Sequence, residues 1–269
     1  MKSVLILGAA GRIGHVLREG LRGKYELLRL ADIAPLGNRA SNEELVTVDI
    51  REFGDLIAAM QGIECVVHMA GAPDEDTWEK ILALNISGCY NVFEAARQAG
   101  VQRVVFASSH HAVGFASRAE LLDDKTLPRP DSRYGASKVF GEALGRLYAD
   151  KHGISVAALR IGSFRMDDVP SHPRQLMTFI SKRDMVQLVQ RCIDHPDYHY
   201  VDVYGISANT RARWDNTHAD FLNYHPQDNA EDHADAVNAL NIVENDIEVR
   251  FHGGFLTAME FDGDPGKIG

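Results

Sequence analysis

The chain has 269 residues, 45% hydrophobic and 25% charged, which suits one large α/β domain with a substantial core. Its 38 acidic against 28 basic residues give a formal net charge of −10, a sign that repels phosphate backbones and anionic lipid and sets aside nucleic acid and membranes as partners. Three widely spaced cysteines, Cys65, Cys89 and Cys192, with no C-x-x-C pair, argue for a reducing compartment and against a disulfide frame or a structural zinc.

The sequence begins on a strand-like run, Ser3-Val4-Leu5-Ile6-Leu7, without a signal-peptide layout, and no apolar stretch approaches the roughly 20 residues that span a bilayer. A cytoplasmic protein is the expectation. Val4 to Leu7 reads as a buried strand, and Arg12 to Arg22 as a helix with Ile13, Val16, Leu17 and Leu21 on one face. Tyr25 to Ala31 is a second strand ending at Asp32. Leu45 to Val48 ends at Asp49, and Cys65 to Met69 runs into Ala70-Gly71. Asp76 to Ala99 is a long helical segment, followed by a strand from Arg103 to Ala107 that closes on Ser108-Ser109. Pro128 and Pro130 break the chain ahead of a helix from Tyr134 to Lys151. Val156 to Arg160 is the next strand, then Gly162-Ser163, a loop from Asp167 to Pro173, a helix from Asp184 to Asp194 and a late strand from Val201 to Ile206. The last 40 or so residues are polar and weakly periodic, and no element is placed there. The alternation predicts a Rossmann-type, doubly wound parallel α/β sheet with right-handed crossovers. Residues 1–160 carry the dinucleotide-binding core, and residues 161–269 a smaller substrate-binding region interleaved with it.

The chemistry gathers at strand ends. Gly8-Ala9-Ala10-Gly11-Arg12-Ile13-Gly14 follows the first strand and opens the first helix, where glycines let a pyrophosphate approach the free N–H groups of a helix N-terminus. Asp32 ends the second strand, 18 residues after Gly14. A carboxylate there hydrogen-bonds ribose hydroxyls and repels a 2′-phosphate, which favours NAD over NADP in spite of Arg12. Asp49-Ile50 suits the adenine pocket or simply starts a loop. Tyr134-Gly135-Ala136-Ser137-Lys138 puts a phenol and an ammonium on one helix face. A phenol with a pKa of about 10 becomes a useful base only if its anion is stabilised, and a shift of two or three units needs roughly 3 to 4 kcal/mol. His218, His225 and His233 lie near several aspartates, but their spacings match no familiar zinc arrangement and no metal is expected.

The glycine loop, the Ser108-Ser109 strand end and the Tyr-x-x-x-Lys helix together resemble the extended branch of the short-chain dehydrogenase/reductase superfamily. Within it the chain is most similar to the uronate dehydrogenases, NAD enzymes that oxidise C1 of glucuronate or galacturonate to the aldarolactone. The likeness covers essentially the whole chain, including Leu30-Ala31-Asp32, Phe106 to His111, Arg160 to Ser163, Trp214-Asp215-Asn216, Asp228 to Glu231 and Arg250 to Gly254. It implies Tyr134 as general base, Lys138 as its tuner and ribose ligand, and Ser109 orienting the reacting oxygen. His110, His111, Ser163 and Pro73 would lie against the sugar, with Arg174 taking its carboxylate as a guanidinium can, through paired hydrogen bonds. It also implies that Met69, Ala70, Gly71, Asn85 and Phe164 line the cofactor site and that the protein is a homo-oligomer.

Some positions depart from the pattern. His110 stands where sugar-nucleotide relatives carry Ser or Thr, and Gly114 where they carry Tyr. Pro73 replaces a small polar residue, Phe164 a smaller one, and the Arg174 loop is longer by about two residues. Two other readings stand beside the dehydrogenase: a sugar-nucleotide epimerase or dehydratase, and a non-catalytic NAD-sensing regulator. Only about 100 residues follow the Tyr-Lys helix, which is little for holding a nucleoside diphosphate, and sensors on this fold commonly lose the Tyr-Lys pair.

Overall fold

β1 (Ser3–Leu7) is buried at every position, and its side chains alternate between two cores: Val4 and Ile6 face one, Leu5 and Leu7 the other. In this computed structural model, which describes residues 1–268, the chain continues through α1 (Arg12–Leu21), β2 (Leu27–Asp32), β3 (Glu43–Thr47), α2 (Phe53–Met60), β4 (Cys65–His68), α3 (Trp78–Ile81) and α4 (Cys89–Ala99). There follow β5 (Arg103–Ser109), α5 (Arg133–His152), β6 (Ser155–Ile161), β7 (Ser163–Phe164), α6 (Gln175–Thr178), β8 (Phe179–Ile180), α7 (Lys182–Asp194), β9 (Tyr200–Gly205), α8 (Ala234–Ala239) and α9 (Phe255–Ala258).

Among the described residues a seven-stranded sheet runs in the order β3-β2-β1-β4-β5-β6-β9, every pairing parallel. The chain winds outward from β1 to β3 and returns to place β4 on the other side of β1. That reversal opens a crevice beyond the carboxyl ends of the strands, where open α/β sheets bind ligands. Leu17 and Leu21 of α1 and Met185 and Leu188 of α7 cover one face. Leu56 and Met60 of α2, Val92 and Phe93 of α4 and Leu144 of α5 cover the other. Helices α1 and α7 approach closely because Gly20 lacks a side chain: a Cβ there would stand 2.5 Å from both methyl carbons of Val186.

The α/β class and all seven strands read from the apolar runs are present, with ends shifted by a residue or two. Three features differ from the sequence reading. Helix α2, Phe-Gly-Asp-Leu-Ile-Ala-Ala-Met, is short and largely apolar, so it carries little helical periodicity to detect. The long segment predicted from Asp76 to Ala99 is helical from Trp78 but changes to a π-helix over Leu82–Gly88. The tail, left unplaced, adds α8, α9 and short 3₁₀ turns held largely by tertiary contacts. No helix among the described residues is long and apolar enough to cross a membrane.

Candidate active site

A cleft of about 630 Å³ lies over the carboxyl ends of β1, β2, β4, β5 and β6. At one end the glycine turn forms its floor. Gly8 has φ +83°, and a Cβ there would lie 2.7 Å from the Ala70 nitrogen, so the turns after β1 and β4 touch. A Cβ on Gly14 would stand 2.1 Å from the Gly8 carbonyl oxygen. No side chain caps α1, which leaves N–H groups of its first turn, at Arg12 and Ile13, available to an anion. Gly11 and Arg12 are exposed at the rim. The Asp32 carboxylate accepts the N–H groups of Ala10 and Ala34, both at 2.9 Å, and so ties the glycine turn to the end of β2. Asp49 and Ile50 line the same end. Asp49 is held by Arg51, whose hydrogen bonds pull its carboxyl below the usual range. Met69, Ala70 and Gly71 form the facing wall, and Phe164 closes the cleft from β7. A floor that excludes side chains, an uncapped helix start and a carboxylate at the second strand fit the pyrophosphate and ribose of NAD.

Asn85 stands behind this wall. Its side chain accepts the Ala72 N–H at 2.8 Å and donates to the Ala72 carbonyl and to Ser137 Oγ, both at 3.1 Å. It braces the Gly71-Ala72 turn against α5 instead of lining the cleft itself.

The middle of the cleft is set by the start of α5. Ser132 caps the helix, accepting the Gly135 N–H at 2.9 Å, so Tyr134 falls in the first turn and Lys138 one turn later on the same face. Lys138 Nζ donates to the Ala107 carbonyl at 2.8 Å and sits 5.2 Å from the centre of the Tyr134 ring. Burial pushes Tyr134 up to about 12 while a hydrogen bond with Ser109 pulls it back, and burial pushes Lys138 down to about 8. In the protein alone, desolvation of the phenol therefore outweighs its hydrogen bond with Ser109. Ser109, at the end of β5, is buried and opens a 3₁₀ turn, His110–Val113, by accepting the His111 N–H.

That turn carries both histidines to the far end. His111 Nδ1 pairs with the buried Asp131 carboxylate at 2.6 Å, and its ring meets Tyr134 edge-on with centroids 6.0 Å apart. Arg174, on the loop before α6, reaches in and, among the described residues, bonds through Nη1 alone, to His110 Nε2 at 2.8 Å and to the His252 carbonyl at 3.0 Å. Among the described residues no carboxylate forms an ion pair with it. Burial, then repulsion from Arg118, push its pKa down to about 10. Ser163 Oγ is hydrogen-bonded to Thr178 Oγ1 at 2.8 Å, and Pro73 lies exposed on the opposite lip.

All the residues predicted for the site except Asn85 thus line one cleft. The sequence reading missed the supports: Asp131, which holds His111, and His252 and Gly254, which touch Arg174. Asp131 immediately precedes the cap of the Tyr-Lys helix, and the other two sit in the tail stretch that resembled the family, so the positions were visible though their contacts were not.

The model of the NAD dependent epimerase/dehydratase family matches residues 4–166. A uronate dehydrogenase of Pseudomonas putida is 41% identical over 96% of this chain and 97% of its own length. A mutant uronate dehydrogenase from Agrobacterium tumefaciens, solved in complex with NAD, superimposes with a TM-score of 0.91 at 41% identity, covering 96% of this chain and 97% of that one. An NAD-dependent glucose-6-phosphate dehydrogenase of Haloferax volcanii is 37% identical over 84% of this chain and 94% of its own. The chain belongs to the NAD dependent epimerase/dehydratase family and, within it, to the uronate dehydrogenases. It is an NAD-dependent oxidoreductase acting on a CH–OH group.

Proposed function

We propose that the protein oxidises the C1 hydroxyl of a cyclic hexuronic acid, D-glucuronate or D-galacturonate, to the aldarolactone. The observation that carries this reading is Arg174, a guanidinium lining the cleft whose side-chain bonds among the described residues all go to neutral groups. A half-buried cation without a carboxylate partner is costly unless a ligand supplies one, and an Nε and Nη2 left unused suit a carboxylate.

Gly8, Gly11, Arg12, Ile13 and Gly14 would hold the pyrophosphate and Asp32 the adenosine ribose, with Asp49 and Ile50 at the adenine. When bound, the nicotinamide is the hydride acceptor. Tyr134 takes the proton from O1, its phenolate stabilised by Lys138, which also binds the nearby ribose. Ser109 holds O1 by a hydrogen bond. His111, fixed by Asp131, and Ser163 contact the ring hydroxyls, while Arg174 clamps the carboxylate. Pro73 and Phe164 narrow the two walls.

Product analysis tests the reaction class. With NAD+ and either uronate, NMR should record the lactone as the first product, formed in step with NADH. A keto sugar or an epimerised uronate as first product would overturn the assignment of C1 as the reacting centre.

A further inference from the structure

The tail segment Phe251-His252-Gly253-Gly254 lies against both ionic groups at the sugar end of the cleft. Gly254 has φ +57°, and a Cβ there would stand 2.4 Å from Arg174 Cδ and 2.6 Å from its Nε. A Cβ on the neighbouring Gly253 would stand 1.9 Å from Asp131 Oδ2, the oxygen that pairs with His111. The His252 carbonyl accepts from Arg174 Nη1 at 3.0 Å.

The segment is itself anchored. The His252 N–H donates to the Ala116 carbonyl at 3.0 Å, the Gly253 N–H to the Gly114 carbonyl at 2.8 Å, and Trp214 Nε1 to His252 Nδ1 at 3.2 Å. Upstream, Arg118 grips Glu244 with both terminal nitrogens, at 3.0 and 2.8 Å, and donates also to the backbone carbonyls of Glu248 and Phe251. An arginine side chain has many rotamers, so a free Arg174 would lose part of any carboxylate's binding energy in being ordered. Here one nitrogen is already fixed by a tail carbonyl and a neutral imidazole, and the stem passes through the space that Gly254 leaves open.

We propose that this tail segment, with Gly254 at its apex and the Arg118–Glu244 pair as its anchor, is a positioning element that orders Arg174 and thereby sets the affinity for sugar acids. The inference rests on the reading of Arg174 as the carboxylate receptor. It makes the tail a determinant of substrate choice, although it contributes no strand to the sheet and lies outside the matched family region.

A double-mutant cycle tests it, with steady-state kinetics on galacturonate and glucuronate and NAD+ binding measured in parallel. Gly254→Ala should raise KM for the uronates about tenfold, with a smaller change in kcat and unchanged NAD+ affinity. In an Arg174→Ala background the same change should cost nothing further, because the side chain that it displaces is gone. Glu244→Gln, which leaves the backbone of the segment untouched, should raise KM in the same direction and likewise only when Arg174 is present. Equal losses with and without Arg174 would reduce the tail to a general structural role and overturn the proposal. If Arg174→Ala itself leaves KM for the uronates unchanged, the carboxylate reading fails as well, and the two failures are told apart by that single variant.

Discussion

Arg174 Nη1 donates to His110 Nε2 at 2.8 Å while His110 Nδ1 donates to the Ile161 carbonyl at 2.9 Å, which fixes the imidazole as the neutral tautomer with its proton on Nδ1. Burial, followed by the charges of His111 and Arg174, holds His110 well below the ordinary histidine range. The guanidinium therefore rests on a neutral base. The corresponding prediction is selective: Arg174→Ala should lower kcat/KM for the uronates about tenfold to a hundredfold, the value of one or two charge-assisted hydrogen bonds, and hardly alter a neutral hexose. Parallel kinetics on a uronate and on glucose check it, and an equal loss on both would remove Arg174 from substrate recognition.

Tyr134→Phe removes the only atom of that side chain able to take the O1 proton. Turnover should fall by about three orders of magnitude, in the range of a lost general base, while NAD+ affinity stays within about twofold. Stopped-assay rates and a fluorescence titration separate the two effects. Retained turnover would transfer the base to another group.

Much of this site was legible because its parts sit at strand ends, which apolar runs reveal. The turn after β1, Asp32 after β2 and Ser109 after β5 were placed by the runs that precede them, and Tyr134 and Lys138 by the helical spacing. The parallel sheet helped, since strands covered on both faces read as continuous apolar blocks. What was not legible depends on contacts between distant segments. Helix α2 is short and largely apolar, and the π-helical stretch Leu82–Gly88 looks in sequence like ordinary helix. Asn85 read as a cofactor ligand, yet its amide is engaged by Ala72 and Ser137, which only the fold brings near it. The tail is fixed by Arg118 and Trp214, neither of which leaves a periodic trace in the tail's own sequence.

Gly14→Ala probes the cofactor end. Its Cβ would stand 2.1 Å from the Gly8 oxygen and 2.7 Å from the Ala9 Cα, so α1 must move away from the turn. NAD+ affinity should weaken by at least about tenfold as the first-turn N–H groups shift from the pyrophosphate. Isothermal titration measures this directly, and wild-type affinity in a folded variant would contradict the placement of the pyrophosphate.

Lys138 supplies a pH signature. Burial lowers its pKa from 10.5 to about 8, so the folded state disfavours the protonated amine. The unfolded chain binds more protons between those values, and stability from this group rises with pH through that window; below about pH 8 its cost is present in full. Lys138→Met should therefore be more stable than wild type at pH 7, by roughly 1 to 3 kcal/mol, with the advantage shrinking toward pH 10.5. Urea unfolding across that pH range checks it. A stability difference that does not change with pH would mean that Lys138 is not desolvated in the folded protein.

If the cleft selects a sugar acid for oxidation at C1, initial rates of NADH formation will show it. Purified protein with NAD+ would be assayed against glucuronate, galacturonate, glucose and glucose 6-phosphate at equal concentrations. The arrangement around Arg174 predicts rates with one or both uronates that exceed those with glucose and glucose 6-phosphate by at least about tenfold. A preference for glucose 6-phosphate or for glucose, with the uronates inert, would contradict it.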